Sequence, residues 1–325
     1  MKIKHYLLTL FLLLTTQVYL SAKALNSWKN GSSKQAIIEF VETAVDPEND
    51  GFIPESERIA VFDNDGTLWA EKPLYFQALF AFDQIRSMAP EHPEWQTEEP
   101  YASILKGDIE GALHDGEEAL IKLVLASHSG MTTKGFQDMV GDWLASATHP
   151  TTGRAYTEMV YQPMLELLDY LRANNFKTFI VSGGGIDFMR VFSEAVYGIP
   201  PEQVIGSRVR ADYTLVDGEP VFHRKAELGF INDKAGKPVG ILEHIGRRPV
   251  MAFGNSDGDF QMLEWVTAGE GPRLGLLVHH TDEKREWAYD RESHVGSLNR
   301  GLDEAAERDW ILVDMKKDWR RVFPR

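Results

Sequence analysis

Asp63-Asn64-Asp65-Gly66-Thr67 stands directly after the short apolar run at 59–62. Two carboxylates two residues apart, at a strand end that turns on a glycine, can converge on one small site. There one can act as nucleophile while its neighbour holds or receives a proton. A turn carrying two solvated acids would have the same sequence, so the pair gains meaning only from what accompanies it. Val181-Ser182-Gly183-Gly184-Gly185 also closes an apolar run, and Ile186, Met189, Phe192 and Val196 follow at helical spacing. A hydroxyl and bare backbone amides at a helix start form a pocket the size of a phosphate, although a flexible glycine turn is the plainer reading of that segment alone. Lys237 precedes Pro238, and proline favours the first helical position, so an ammonium group is expected at a helix start. Lys234 is the competitor for that role. Gly254-Asn255-Ser256-Asp257-Gly258-Asp259 closes a third apolar run with oxygen ligands suited to a hard cation such as Mg²⁺.

These residues need elements to hold them. Nearly continuous apolar runs at 59–62, 178–181, 250–253 and 274–278 each end in a polar or glycine-rich turn. Runs without alternation suit parallel strands buried on both faces. Helical patterns fall between them: Met164, Leu165, Leu168 and Leu171 before the second run, and Val239, Leu242 and Ile245 before the third. Alternating strand and helix predict a doubly wound parallel α/β sheet, whose ligands bind at the carboxyl ends of the strands. Upstream, Ser33 can cap a helix built on Ile37, Ile38, Val41 and Val45. The interval from Asp65 to Ser182 is too long for one crossover. Tyr75, Leu79 and Phe82, then Leu120, Leu123 and Val124, then Phe136, Val140, Trp143 and Leu144 mark three amphipathic stretches, which predict an inserted helical cap. Asp217-Gly218, between 213–216 and 220–222, predicts a small hairpin.

The four chemical segments, in this order and on these elements, resemble the four motifs of the haloacid dehalogenase-like hydrolase superfamily, across Asp63 to Asp259. The resemblance implies a Rossmann-like core (25–70 and 158–325) with an α-helical cap (71–157) between the first and second motifs, as in the phosphoserine-phosphatase-like branch. It implies Asp63 as a nucleophile that forms an aspartyl-phosphate, and Asp65 as the acid/base that protonates the leaving oxygen and then activates water. Ser182 and Lys237, with the Gly183 amide, match the phosphate-binding groups. Mg²⁺ is implied on the Asp63 carboxylate, the Asp65 carbonyl and an acidic residue of the fourth motif. That last position is Asn255 here, a ligand without charge, with Asp259 in support and Asp257 as the alternative ligand. An acid at position 65 favours phosphoryl transfer over dehalogenation, because a halide leaves without a proton; the ATPase branch has Thr there. The expected activity is therefore Mg²⁺-dependent hydrolysis of a small phosphate monoester, with transfer to another alcohol, or a catalytically silent binding protein, as alternatives.

Composition limits the setting. The chain has 325 residues, 43% hydrophobic and 26% charged, an ordinary globular balance that excludes fibrous and disordered classes. Its formal charge of −15 disfavours nucleic acid and anionic lipid surfaces as partners. The absence of cysteine excludes disulfides, thiolate metal sites and a cysteine nucleophile. Residues 1–24 fit a secretory signal peptide, with Lys2 and Lys4 before an apolar stretch that is short for a membrane anchor, the rival reading, and with cleavage after Ala24 or, as the second candidate, Ala22, which predicts a periplasmic or secreted protein. The spacing of Asp46, Glu48, Asp50, Gly51, Ile53 and Glu57 resembles a calcium loop, but Pro54 and a following strand favour a surface loop. His279 and His280 at the end of the fourth run are expected to be hydrogen-bonded structurally. Trp69, Tyr75 and Phe76 are expected to pack more than to touch substrate.

Overall fold

The computed structural model describes residues 25–325; the expected signal peptide, 1–24, lies outside the described residues. Along the chain run the strands β1 (Ile59–Phe62), β2 (Lys177–Gly185), β3 (Val204–Val216), β4 (Glu219–Phe230), β5 (Met251–Gly254), β6 (Leu274–His279) and β7 (Ile311–Asp314). The longer helices are α1 (Ser32–Val45), α2 (Phe76–Met88), α3 (Glu117–His128), α4 (Thr133–Ser146), α5 (Gln162–Ala173), α6 (Gly236–Ile245) and α7 (Phe260–Thr267). Contacts divide the chain into two units. The first holds the residues through Ala70 with Val160–Phe179 and Ile245–Arg325; the second holds Glu71–Met159 and Ile180–His244. The chain passes from the first to the second within β2.

In the first unit β1, β5, β6 and β7 form successive parallel pairs. The Lys177 amide, at the start of β2, donates to the Arg58 carbonyl at 2.8 Å. All residues of β1 and β5 are buried, which is what a parallel strand covered on both faces requires. Register brings Phe62 beside Phe253, and their rings stack at 4.3 Å. Helix α5 buries Met164, Leu167, Leu168 and Leu171, and α7 buries Phe260, Met262, Leu263 and Val266. Shortening a fully buried leucine such as Leu168 to alanine would cost about 2–5 kcal/mol. This is the predicted parallel α/β core. Ser33 departs from expectation: Gly31 caps α1, and the Ser33 hydroxyl donates instead to Asp318 Oδ2 at 3.0 Å.

In the second unit α2, α3 and α4 pack with the end of β2 and the β3–β4 hairpin. The predicted stripe Phe136, Val140, Trp143 and Leu144 is the buried face of α4. Phe80 of α2 sits among the rings of His128, Phe136, Trp143 and Phe188, at 5.3–6.0 Å. β3 runs parallel to β2 and antiparallel to β4. Asp217 and Gly218 take the left-handed conformation (φ 52° and 84°) that a two-residue hairpin turn demands. The hairpin is far longer than 213–222, and it is tied to the helical segment where the Arg224 amide donates to the Met131 carbonyl at 2.8 Å. Such ties place 180–244 with 71–159. The helix expected after Gly185 is two short pieces, Ile186–Met189 and Ser193–Tyr197, with Phe192 between them. In α6 the buried residues are Lys237, Gly240 and Ile241, whereas Val239 and Leu242 of the predicted apolar face are exposed. Among the described residues no helix is long and apolar enough to cross a membrane.

Candidate active site

The first unit assembles the aspartate motif from the tips of β1 and β5. The Asp63 amide donates to the Phe253 carbonyl at 2.9 Å, so Asp63 extends the β1–β5 ladder by one bond before the chain turns. The turn closes on the Asn64 carbonyl, which accepts from the amides of Thr67, Leu68 and Trp69, while Gly66 adopts φ 74° and its amide donates to the Trp69 carbonyl. A side chain at position 66 would be strained in that conformation. The Trp69 indole donates to Asp65 Oδ1 at 2.8 Å. Trp69 is buried, as expected, but the ring does more than pack: it fixes one oxygen of the second carboxylate.

The fourth motif meets this turn. The Thr67 hydroxyl donates to Asn255 Oδ1 at 3.0 Å. Asp259, fully buried, accepts through Oδ2 from the Asn255 amide at 2.9 Å and from the Ser256 amide at 3.1 Å, closing a capping box before α7. Asp259 thereby holds the loop that presents Asn255. Asp257 is committed elsewhere: Oδ1 accepts from the amides of Asn299 and Gly301, and Oδ2 from that of Arg300. It caps the short helix Arg300–Glu304.

Behind the turn lies a buried polar chain that sequence spacing does not reveal. His280 Nε2 donates to the Gly66 carbonyl at 2.8 Å, and its Nδ1 lies 3.1 Å from Glu286 Oε2. Glu286 also accepts from the Tyr161 hydroxyl at 2.9 Å and from the Trp287 amide at 2.7 Å. His279 pairs with Asp290 instead, at 3.2 Å. Both histidines are hydrogen-bonded, as expected, but His280 reaches the turn at 63–69.

The second unit assembles the anion-binding candidates. Ser182 is buried, and its hydroxyl accepts from the Gly184 amide at 3.1 Å. Its carbonyl accepts from Asn232 Nδ2 at 2.9 Å, and the Gly183 carbonyl accepts from the Ser207 hydroxyl at 2.7 Å. Lys237 is 2% exposed, and its ammonium donates to the Val181 carbonyl at 3.1 Å, one residue before Ser182. Lys234 is exposed at a left-handed turn (φ 50°), whereas Lys237 is buried beside the end of β2. Helix α6 starts at Gly236, which puts Pro238 within its first turn. The Gly185 amide donates to Gln77 Oε1 at 2.6 Å, and Gln77 Nε2 lies 3.0 Å from His128 Nε2. Burial, helped by the Arg224 guanidinium, pushes His128 down to about 3. The neutral ring then accepts from Gln77 at Nε2 and donates from Nδ1 to the Ser127 hydroxyl at 2.7 Å.

A family model described as haloacid dehalogenase-like hydrolase matches residues 60–264, more than half of the chain and all four motifs. The chain belongs to the haloacid dehalogenase-like hydrolases. No curated protein matches it. Among solved structures it is similar to a functionally unknown protein from Anaerococcus prevotii (17% identity, 82% of this chain and 94% of that one, TM-score 0.52). It is also similar to a protein of unknown function from Bordetella pertussis (14% identity, 80% and 99%, TM-score 0.50). A phosphoserine phosphohydrolase-like protein from Francisella tularensis shows 18% identity over 77% of this chain and 98% of that one, with TM-score 0.40. The first two likenesses agree with the fold.

The donor set fits the divalent cation of these hydrolases. Asp63, the Asp65 carbonyl and Asn255 offer hard oxygens, and Mg²⁺ commonly binds one or two carboxylates while keeping several waters. Among the described residues no group of three or more acidic or imidazole side chains is placed to hold a metal.

Proposed function

We propose that this protein is an exported Mg²⁺-dependent phosphomonoesterase acting on small phosphate esters through an aspartyl-phosphate. The observation that carries the reading is the Asp65 carboxyl, held by the Trp69 indole two residues after Asp63. A phosphate ester needs an acid for its departing alkoxide, whereas a halide does not. Asp63 attacks phosphorus and the ester P–O bond breaks, while Asp65 gives its proton to the leaving oxygen. Asp65 then takes a proton from water as that water attacks the phosphorus of the aspartyl-phosphate, releasing phosphate and restoring Asp63. Ser182, the Gly183 amide and Lys237 bind the phosphoryl oxygens. Asp63, the Asp65 carbonyl and Asn255 would hold Mg²⁺, which would supply positive charge against the repulsion between carboxylate and phosphate. Hydrolysis rather than transfer suits an extracytoplasmic setting poor in activated phosphate donors.

The test is turnover of p-nitrophenyl phosphate. Hydrolysis that EDTA abolishes and Mg²⁺ restores is expected, with loss of turnover in folded Asp63→Asn. Retained activity in that variant would rule out the covalent route. For export, the mature protein is expected to begin at Leu25, and an intact terminus on protein from the cell envelope would contradict it.

A further inference from the structure

The Gly66–Thr67 peptide is held at both ends. Its N–H donates to the Asn64 carbonyl at 3.2 Å, and its carbonyl accepts from His280 at 2.8 Å across 214 residues of chain. A planar peptide gripped at both poles cannot rotate without breaking a buried bond. The residue after it, Thr67, orients Asn255, and Asp65 is the residue before Gly66. The group doing the gripping is expensive to bury. The His280 and Glu286 side chains are 1% and 0% exposed, and desolvating such a pair commonly cancels its attraction. If this region only had to pack, apolar side chains would serve as well. The pair is also completely oriented. The imidazole ring stacks on Tyr289 at 4.4 Å, and Glu286 accepts from both the Tyr161 hydroxyl and the Trp287 amide. Both ring nitrogens are thus engaged, Nε2 by the Gly66 carbonyl and Nδ1 by Glu286.

We infer that His280, clamped by Glu286 and Tyr161, is a positioning residue that fixes the Gly66 carbonyl and so sets the aim of Asp65 and Asn255. Its effect on rate rests on the phosphatase reading; its effect on the turn does not. A displacement of about 1 Å in catalytic groups can cost about 10²-fold, and the loss falls on kcat because His280 does not touch substrate.

The experiment measures kcat and KM for p-nitrophenyl phosphate with Mg²⁺, and amide hydrogen exchange at Gly66 and Thr67, in the full chain. His280→Ala is expected to lower kcat about 10²-fold with KM within about threefold. It is also expected to speed exchange at both amides. His280→Gln, which can return a donor to the Gly66 carbonyl, is expected to recover most of the loss. Tyr161→Phe removes only the outer clamp; it is expected to show a smaller fall in kcat and serves as the comparison if His280→Ala does not fold. A folded His280→Ala that keeps kcat within about threefold overturns the proposal, as does a glutamine variant no better than alanine. An inactive wild type would refute the phosphatase reading instead, and exchange alone would then decide: faster exchange in His280→Ala supports the clamp, and unchanged exchange overturns it.

Discussion

Asp65 has a hydrogen-bond partner that matches its proposed work. The Trp69 indole takes Oδ1 and so restricts rotation of the carboxyl about its bond to the chain. Proton donation to the leaving group is typically worth about 10²–10⁴ in rate, so Asp65→Asn is expected to lose that much on alkyl phosphates such as glycerol phosphate. In kcat/KM, which reports the phosphorylation step without the later hydrolysis, the loss should be much smaller on p-nitrophenyl phosphate, whose phenolate leaves without a proton. Equal losses on the two esters would mean that Asp65 is not the acid. Trp69→Phe should follow the same pattern with a smaller fall, about tenfold on the alkyl ester. The acids themselves were legible because they are neighbours in sequence at the end of an apolar run. Trp69 lies only four residues from Asp65, but nothing in that spacing distinguishes a packing ring from one that donates a hydrogen bond. His280 and Glu286 were less legible still, since their partners Gly66 and Tyr161 lie 214 and 125 residues away.

At the scale of elements, the strands that carry the motifs were visible because burial on both faces leaves an unbroken apolar run. Strand β7 is half-exposed and four residues long, so it leaves no comparable mark. The apolar pattern named the wrong face of α6 because the buried residues there include Lys237 and Gly240, a charge and a bare backbone that hydropathy does not count. Asp257 was equally ambiguous in sequence, and its three amide partners settle its structural use. Asp257→Ala is expected to destabilise the fold by about 1–2 kcal/mol through loss of the cap on Arg300–Glu304. The Mg²⁺ concentration for half-maximal activity should stay unchanged, and a marked rise would make Asp257 a ligand after all. The neutral His128 predicts a pH effect. The unfolded chain takes up a proton near 6.5 that the folded chain refuses until about 3. The native state therefore loses stability as pH falls between those values, by up to about 1.4 kcal/mol per pH unit from this group. Urea midpoints from pH 7 to pH 4 should fall more steeply for the native protein than for His128→Gln; identical slopes would show that His128 is not the source.

At the scale of the whole molecule, the chain carries a formal charge of −15, and removal of Lys2, Lys4 and Lys23 with a signal peptide would take it to −18. On the proposed function, a protein so acidic would need local positive groups to hold an anionic ester, and Lys237 is a buried cation placed beside the end of β2. The order of the four motifs and the helical nature of the inserted segment could be read from the chain. The grouping of 180–244 with 71–159 could not, because it depends on the long β3–β4 hairpin joining α3 and α4 through bonds such as that between Arg224 and Met131. The central claim is that Asp63 becomes covalently phosphorylated. Acid quenching of the enzyme during turnover of p-nitrophenyl phosphate, followed by borohydride reduction and peptide mass spectrometry, tests it directly. The account predicts homoserine in place of aspartate at position 63 and at no other aspartate. Steady turnover with position 63 left as aspartate would contradict it.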